Sequence, residues 1–251
     1  MLSQLPHAVL VLFLFLLDFG LFLLPGFAVA LSLFARRQMT ALLTIVTVVA
    51  SSASFGYVAF WAFFLSRTLG QCFCAAVYII ALLQIVRSLF RDRRVGTLLR
   101  LLRTPLLYTG LTGLLYTSLL FSFSDPVASR EFLAGQRFFR EARSGDNLIP
   151  LILADRIYGH RALRPFCCGD WLSSDRPPLQ SGIFLLERPL RVLAGTGLHY
   201  QALSTGLQCL WVCGVWCLLV ALGTEQPCIR LAIMFLSFSG FLFYKIGRAH
   251  V

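Results

Sequence analysis

Apolar residues run along this chain in long blocks rather than at alternating positions. Continuous blocks indicate buried or membrane-spanning helices, because a half-exposed strand alternates apolar and polar residues. A helix needs about 20 residues to cross the hydrocarbon core of a bilayer. Six blocks approach or exceed that length: Val9–Phe34, Ala41–Leu65, Cys72–Val86, Leu106–Phe121, Leu198–Leu222 and Leu231–Tyr244. The pattern therefore predicts an all-α polytopic membrane protein with about six transmembrane helices.

A more polar stretch between the fourth and fifth blocks divides the chain. We expect a membrane region of four spans (1–123), a loop with short interfacial helices (124–197) and a second membrane region of two spans (198–244). The remaining residues, 245–251, begin at Lys245, the only lysine among 22 basic residues. Its continuation "IGRAHV" resembles the translation of a sequencing adapter, so we expect this tail to be non-native and the chain to be a fragment.

Composition agrees with a membrane location. Hydrophobic residues make up 58% of the chain and charged residues 13%, and the mean hydropathy is +0.78, which excludes an ordinary soluble domain. The net charge of +11 comes from arginines beside the spans, such as Arg36 and Arg37 and six more between Arg87 and Arg103. Such clusters mark the cytoplasmic side, so we expect the N-terminus and the loop to be extracytoplasmic, and no nucleic-acid partner. The preference for arginine favours a bacterial inner membrane.

Few residues within the spans carry chemistry. Asp18 lies inside the first block, where a carboxylate is a candidate functional group; alternatively, a break at Pro25 and Gly26 leaves it near an interface. Cys209, Cys213 and Cys217 share one helix face, which is typical of packing. With no phosphate-binding glycine loop and no zinc-ligand spacing, we expect no cofactor, while a metal requirement stays open.

The loop contains a segment with helical signals, "SGDNLIPLILADRIYGH" (144–160). It predicts a helix that ends near Tyr158, with Asp146 as its N-cap and Pro150 in the first turn. The helix dipole keeps a carboxylate at this position ionised. Asp146 is therefore either a structural cap or a general base. Asp155 and Arg156 are expected to form a surface ion pair.

A second loop segment, "GDWLSSDRPPLQSG" (169–182), is polar in an otherwise apolar chain. Its two prolines cannot continue a helix, and the serines and Asp175 before them favour a turn. A rigid turn fixes the directions of Asp175 and Arg176, as a site for a phosphate or a sugar requires. The apolar residues that follow predict a segment at the membrane edge.

These two segments together resemble the GT-C-fold membrane glycosyltransferases of the protein O-mannosyltransferase and aminoarabinose-transferase type. The matching residues are Asp146-Asn147, Gly169-Asp170-Trp171 and Arg176-Pro177-Pro178-Leu179. The resemblance implies transfer of a sugar from a polyprenyl-phosphate donor at the outer membrane face. It implies that Asp146 is the catalytic base and that Asn147, Asp175 and Arg176 bind substrate. The chain departs from the family at Asn147, where the family has a second carboxylate, and in having three extra spans before the loop, which in the family follows the first span.

Two other functions stay open on the sequence alone. A transporter component would use Asp18, with His199, Gln201 and Gln208 as the polar groups near the fifth span. A non-catalytic membrane scaffold would use the loop to bind a partner. Replacing Asp146 separates these functions, because only the transferase needs its carboxylate for chemistry.

Overall fold

The computed structural model describes residues 5–34, 39–91, 94–123, 149–161, 166–168, 171–172, 178–188 and 196–239. These residues are largely helical. In chain order the elements are α1 (Leu5–Phe34), α2 (Ala41–Leu65), α3 (Arg67–Arg91), α4 (Arg94–Phe123), α5 (Ile149–Tyr158), β1 (Phe166–Cys168), β2 (Trp171–Leu172), α6 (Pro178–Glu187), α7 (Thr196–Cys209), α8 (Trp211–Ala221) and α9 (Gln226–Ser237). The two strands form one short antiparallel pair.

The prediction of an α-helical membrane protein is confirmed. Four helical stretches are long and apolar enough to cross a bilayer: Leu12–Phe34, Ala41–Leu65, Arg67–Phe90 and His199–Ala221. They correspond to the first, second, third and fifth predicted spans. The fourth predicted span lies within α4, and the sixth overlaps α9, an apolar helix of 12 residues. Six spans, and a loop on the outer side, stay predictions.

Two compact units make up the chain, and each combines segments that are distant in sequence. Unit 1 contains Met1–Phe19, Leu102–Ser144 and Gly197–Val251. Unit 2 contains Gly20–Leu101 and Gly145–Thr196. Helices α1 and α4 each contribute residues to both units.

In unit 2, a single residue joins α2 to α3. Ser66 is the C-cap of α2, where its N–H donates to the carbonyl oxygen of Ala62 at 3.0 Å. Its side-chain oxygen accepts a hydrogen bond from the N–H of Leu69 at 3.0 Å, as an N-cap does. Gly70 packs against the ring of Phe63, leaving no room for a side chain there. The two membrane-length helices therefore form a tight hairpin.

Helix α1 contradicts one expectation. It continues through Pro25 without a break, so the proline does not place Asp18 at an interface. Asp18 is 1% exposed. In unit 2, the N–H of Gly26 donates to Ser52 Oγ on α2 at 3.1 Å, and a Cβ at Gly26 would collide with the carbonyl oxygen of Val48. This close approach pins α1 to α2 next to the proline.

Helix α6 packs along α2 rather than at its end. A Cβ at Gly182 would collide with the carbonyl oxygen of Gly56, so the two backbones touch. Gly56 lies ten residues before Ser66, which is about 15 Å along a helix. Residues 181–187 of α6 are all buried. The predicted membrane-edge segment is thus a ten-residue helix packed beside the second half of a membrane-length helix.

In unit 1, side chains of α4 contact two later helices. Thr109 Oγ1 lies 3.1 Å from Cys213 Sγ on α8, and Thr112 Oγ1 lies 3.0 Å from Ser237 Oγ on α9. Cys213 is therefore part of helix packing, as its position on an apolar face predicts. Between α8 and α9, Gly223 has a φ of 72°, which lets the chain turn there without strain.

Candidate functional site

The four site residues predicted from the sequence, Asp146, Asn147, Asp175 and Arg176, lie outside the described residues. The helices that follow them are described. Helix α5 begins at Ile149 and α6 begins at Pro178, a proline in the first turn as helix starts favour. The helix predicted to end near Tyr158 does end there.

The two helices are held together and against the α2–α3 hairpin. Ser181 Oγ donates to the carbonyl oxygen of Pro150 at 3.0 Å, which joins α6 to the first turn of α5. Cys74 Sγ on α3 lies 3.8 Å from the carbonyl oxygen of Leu185. Ile149, Leu153 and the other inward positions of α5 are buried. Helices α5 and α6 are thus docked on membrane-length helices.

Where α5 ends, two arginines lie over one aromatic ring. The Arg188 guanidinium lies 3.9 Å from the centroid of the Tyr158 ring, and the Arg67 guanidinium lies 4.5 Å from it. Arg67 donates to the Tyr158 hydroxyl at 3.3 Å, and Gln71 Nε2 donates to it at 3.2 Å. We call Arg67, Gln71, Tyr158 and Arg188 the Tyr158 cluster. It lies beside the first turn of α3, at the tip of the hairpin.

One carboxylate enters this cluster. Asp155 on α5 forms a salt bridge with Arg188, a partner that the sequence did not indicate. Among the described residues, no carboxylate lies within salt-bridge distance of Arg67. Counted over the part of the chain that the structure describes, two guanidiniums and one carboxylate give the cluster a net charge of about +1.

The positive charge acts on the Tyr158 hydroxyl. Burial raises the pKa of Tyr158, but hydrogen bonds from Gln71 and Arg67 and the charges of Arg67 and Arg188 outweigh it. The net effect lowers the pKa of Tyr158 below its ordinary value of 10.0. A place that stabilises a phenolate also stabilises other anions, because both effects arise from the same positive potential.

The link from α5 to α3 uses an unusual backbone position. His160 has a φ of 47°, in the left-handed region that ends many helices. The N–H of Arg161 donates to the carbonyl oxygen of Arg156, and the N–H of His160 donates to that of Ile157. His160 Nε2 accepts a hydrogen bond from the N–H of Arg67 at 2.6 Å, at a helix start where that donor has no partner within the helix.

A second polar site lies in unit 1, between α1 and α7. His199 Nδ1 lies 3.0 Å from Asp18 Oδ1 and 3.1 Å from Asp18 Oδ2. His199 is 2% exposed and Asp18 is 1% exposed. Among the described residues, no hydrogen-bond partner lies within reach of His199 Nε2, which is buried. We call this pair the Asp18–His199 dyad.

Sequence reasoning identified Asp18 and His199 singly but did not pair them, and it missed the Tyr158 cluster. Asp18 and His199 are each an ionisable residue within an apolar block of the sequence. Arg67 lies two residues after an apolar run, and Tyr158 ends a predicted helix, but neither feature indicates a partner. In the part of the chain that the structure describes, no three histidine, cysteine or carboxylate side chains are grouped to hold a metal ion.

Comparisons with known proteins found no relative of this chain. No family model matches the chain, and no curated protein and no solved structure matches it. The resemblance to the GT-C glycosyltransferases therefore rests on the motif residues, and the function that follows from it is a proposal.

Proposed function

We propose that this chain is an integral membrane glycosyltransferase of GT-C type. It would move a sugar from a polyprenyl phosphate to an acceptor at the outer face of a bacterial inner membrane. The motifs at Asp146-Asn147, Gly169–Trp171 and Arg176–Leu179 support this. A polyprenyl donor lies in the bilayer, so its enzyme needs membrane-length helices next to a polar site. The four apolar stretches satisfy the first requirement.

The observation that carries the proposal is the Tyr158 cluster. Its two guanidiniums lie at the end of the α2–α3 hairpin. Among the described residues, the hydrogen-bond partner of the Arg67 guanidinium is the Tyr158 hydroxyl. A guanidinium matches phosphate oxygens well, and the leaving group of this reaction is a polyprenyl phosphate. Arg67 and Arg188 would stabilise its developing negative charge, together with Arg176 from the motif.

Each of these residues has one role in the proposed reaction. The acceptor hydroxyl oxygen attacks the anomeric carbon of the sugar, and the bond between that carbon and the phosphate oxygen breaks. The electron pair of this bond stays on the polyprenyl phosphate, next to the arginines. Asp146 takes the proton from the acceptor hydroxyl, while Asn147 and Asp175 bind the substrates.

The hydrogen bond between Arg67 and His160 supports the placement of this site on one face. It joins the α2–α3 turn to the end of α5. With an extracytoplasmic N-terminus and one crossing by each of the first four spans, that turn and the loop both belong to the outer side. A donor presented at the outer face would meet the cluster and the motifs on the same side.

The proposal is tested by measuring sugar transfer from a fluorescent polyprenyl-phosphate sugar in membranes that contain the full chain. Asp146→Asn keeps the shape of the side chain but removes the base, so we expect transfer to fall by about 100-fold or more. Arg67→Gln should raise the KM for the donor, with a smaller effect on kcat.

Glu225→Gln is the matched control, since Glu225 is exposed and its side chain makes no capping hydrogen bond. It should transfer sugar at the rate of the unaltered chain, at the same protein level in the membrane. Absence of transfer with every donor tested, or full transfer by Asp146→Asn, would sink the proposal.

A further inference from the structure

A cavity of about 190 Å³ lies between the first three helices of unit 2. Its lining on α1 and α2 consists of Pro25, Ala28, Val29, Ser32 and Phe55. The four residues on α1 follow one another at intervals of three and one, so they form one face of the last turns of that helix. All the residues that line this cavity belong to unit 2, and we call it the α1–α3 cavity.

Helix α3 forms the opposite wall of the α1–α3 cavity. Its lining residues are Val77, Ile80, Ala81 and Gln84, which share one helix face. Val77 and Ala81 are buried, whereas Ile80 is 65% exposed, so the cavity opens to the surface along one edge of α3. Gln84 lies seven residues after Val77, which is about 10 Å along the helix. The cavity is therefore long enough for a segment of an extended hydrocarbon chain.

The chemistry of the lining favours an apolar occupant over water. Ser32 and Gln84 are the polar residues of the lining. Ser32 Oγ donates to the carbonyl oxygen of Ala28 at 3.1 Å, so the hydroxyl proton is already used within α1. A buried water molecule needs about two to four polar partners, and an apolar cavity of about 150 Å³ in another protein stays dry and binds benzene.

The position of the cavity identifies bilayer lipids as the source of that occupant. The helical stretches around it are long and apolar enough to cross a membrane: Leu12–Phe34, Ala41–Leu65 and Arg67–Phe90. Ser32 lies two residues before the end of the first stretch, and Gln84 lies six residues before the end of the third. These separations are about 3 and 9 Å along a helix, so the polar end of the cavity lies near the boundary of the hydrocarbon core.

A positive charge lies beside this polar end. Arg87 is exposed and follows Gln84 by one helical turn. Among the described residues, no carboxylate lies within salt-bridge distance of Arg87, and the Gln84 amide has no hydrogen-bond partner. The segment 87–103 contains six arginines and one carboxylate, Asp92. Arginine clusters that follow a span on the cytoplasmic side are typical of sites for anionic phospholipids.

We propose that the α1–α3 cavity binds one anionic phospholipid of the cytoplasmic leaflet. One acyl chain lies in the cavity, where it restores the dispersion contacts that an empty space lacks. The phosphate lies beside Arg87, whose guanidinium matches phosphate oxygens, and the Gln84 amide donates to an ester carbonyl oxygen.

This lipid site is separate from the proposed glycosyl transfer. Gln84 lies 13 residues after Gln71 of the Tyr158 cluster, which is about 20 Å along α3. The two sites therefore lie toward opposite ends of one membrane-length helix. A donor at the outer face meets the end that carries the Tyr158 cluster, so loss of the lipid site and loss of sugar transfer are measured independently.

Photolabelling of the full chain in lipid nanodiscs tests the proposal. The probe is a phosphatidylglycerol with a diazirine in one acyl chain, and mass spectrometry locates the labelled residues. Excess phosphatidylglycerol should displace the label from Val29 about fivefold more effectively than the same excess of phosphatidylcholine, as expected for one arginine near an anionic headgroup. At Leu83, which is 63% exposed and does not line the cavity, the two lipids should displace the label equally.

Two pairs of variants separate the apolar and the charged part of the site. Ala81→Phe fills the cavity and should abolish the preference at Val29, whereas Ile79→Phe should keep it, because Ile79 is 57% exposed and lies outside the lining. Arg87→Gln should weaken binding of phosphatidylglycerol by about fivefold. Arg100→Gln removes an exposed arginine of the same segment and should leave the preference unchanged.

The competition in the unaltered chain decides the matter even if Ala81→Phe fails to fold. Equal displacement of the label from Val29 by both phospholipids would overturn the proposal, because it would show contact with bulk lipid only. Absence of any label at Val29 would overturn it as well. So would displacement by a polyprenyl phosphate but not by phosphatidylglycerol.

Discussion

At the scale of single residues, His160 and Tyr158 show how a few atoms organise the end of α5. His160 occupies a left-handed backbone position that glycine would take without strain, and its imidazole in return accepts the N–H of Arg67. Tyr158 then stacks with Arg67 and accepts its hydrogen bond. One histidine and one tyrosine thus bring the start of α3 and the end of α5 together.

The lowered pKa of Tyr158 gives a prediction at this scale. An absorbance titration of the unaltered chain, minus that of Tyr158→Phe, should show one tyrosine that ionises below pH 10.0. Arg67→Gln should move that ionisation to higher pH, because a charge and a hydrogen bond that favour the phenolate are lost.

The lowered pKa of Tyr158 also determines how the stability of the protein changes with pH. Because the pKa of Tyr158 is lower in the folded state, its ionisation adds to the free energy of unfolding. This contribution is complete above the ordinary tyrosine pKa, where the unfolded chain is ionised as well. It is lost as the pH falls through the pKa of the folded state. An unchanged midpoint in Arg67→Gln would contradict this account of the cluster.

At the scale of elements, glycines decide which helices touch. The contact between α2 and α6 depends on Gly56 and Gly182, whose backbones meet where any side chain would collide. Small residues at such crossings are typical of helices packed in membranes, because they let backbones approach closely. Through this contact α6 lies along α2, and Arg188, the residue that follows α6, reaches Tyr158.

Gly182→Ala should therefore destabilise the protein. The added methyl collides with the Gly56 carbonyl, and overpacking of this kind costs about 1–3 kcal/mol. Gly20→Ala is the matched control in the same unit, because no atom lies within 4 Å of a Cβ there. Alanine in an exposed helix is favoured over glycine by up to about 1 kcal/mol, so Gly20→Ala should be neutral or stabilising. Thermal unfolding in detergent measures both, and equal melting temperatures would show that α6 does not need this contact.

At the scale of the whole molecule, four membrane-length stretches and a charge bias give a topology that can be tested. Thr40 begins α2 and Ser66 ends it, so 25 helical residues, about 37 Å, separate them. If α2 crosses the bilayer, these two residues lie on opposite faces. The arginine clusters place Ser66 outside and Thr40 inside.

The single lysine makes this prediction easy to measure. In a Lys245→Arg background, a membrane-impermeant amine reagent should label Ser66→Lys in intact cells. Thr40→Lys should be labelled only after the membrane is permeabilised. The Lys245→Arg chain without a new lysine is the control, because its labelling measures the reaction of the N-terminal amine alone. The reverse pattern would invert the topology and put the Tyr158 cluster on the cytoplasmic face, away from an outer donor.

Much of the architecture followed from the sequence because it depends on local composition. The apolar blocks predicted the first, second, third and fifth spans, and the segment 144–160 predicted a helix that ends near Tyr158, as α5 does. Helix α1 departed from prediction at Pro25, because the close contact of Gly26 with α2, including its bond to Ser52, supports the helix there. The helical character of α6 was missed because its ten residues are too few for a span and too apolar for a surface loop.

The sequence by itself determined that the chain is helical, apolar and suited to a membrane, since hydrophobicity and helix length are properties of neighbouring residues. It also supplied the motifs around Asp146 and Arg176 on which the proposed transfer rests. Only the tertiary structure decided which distant residues meet: Asp18 with His199, Asp155 with Arg188, and Arg67 with Tyr158. A sequence pattern shows the period of a helix, but it does not show which residue its polar side chains will contact. Those contacts depend on packing between segments that lie up to 181 residues apart.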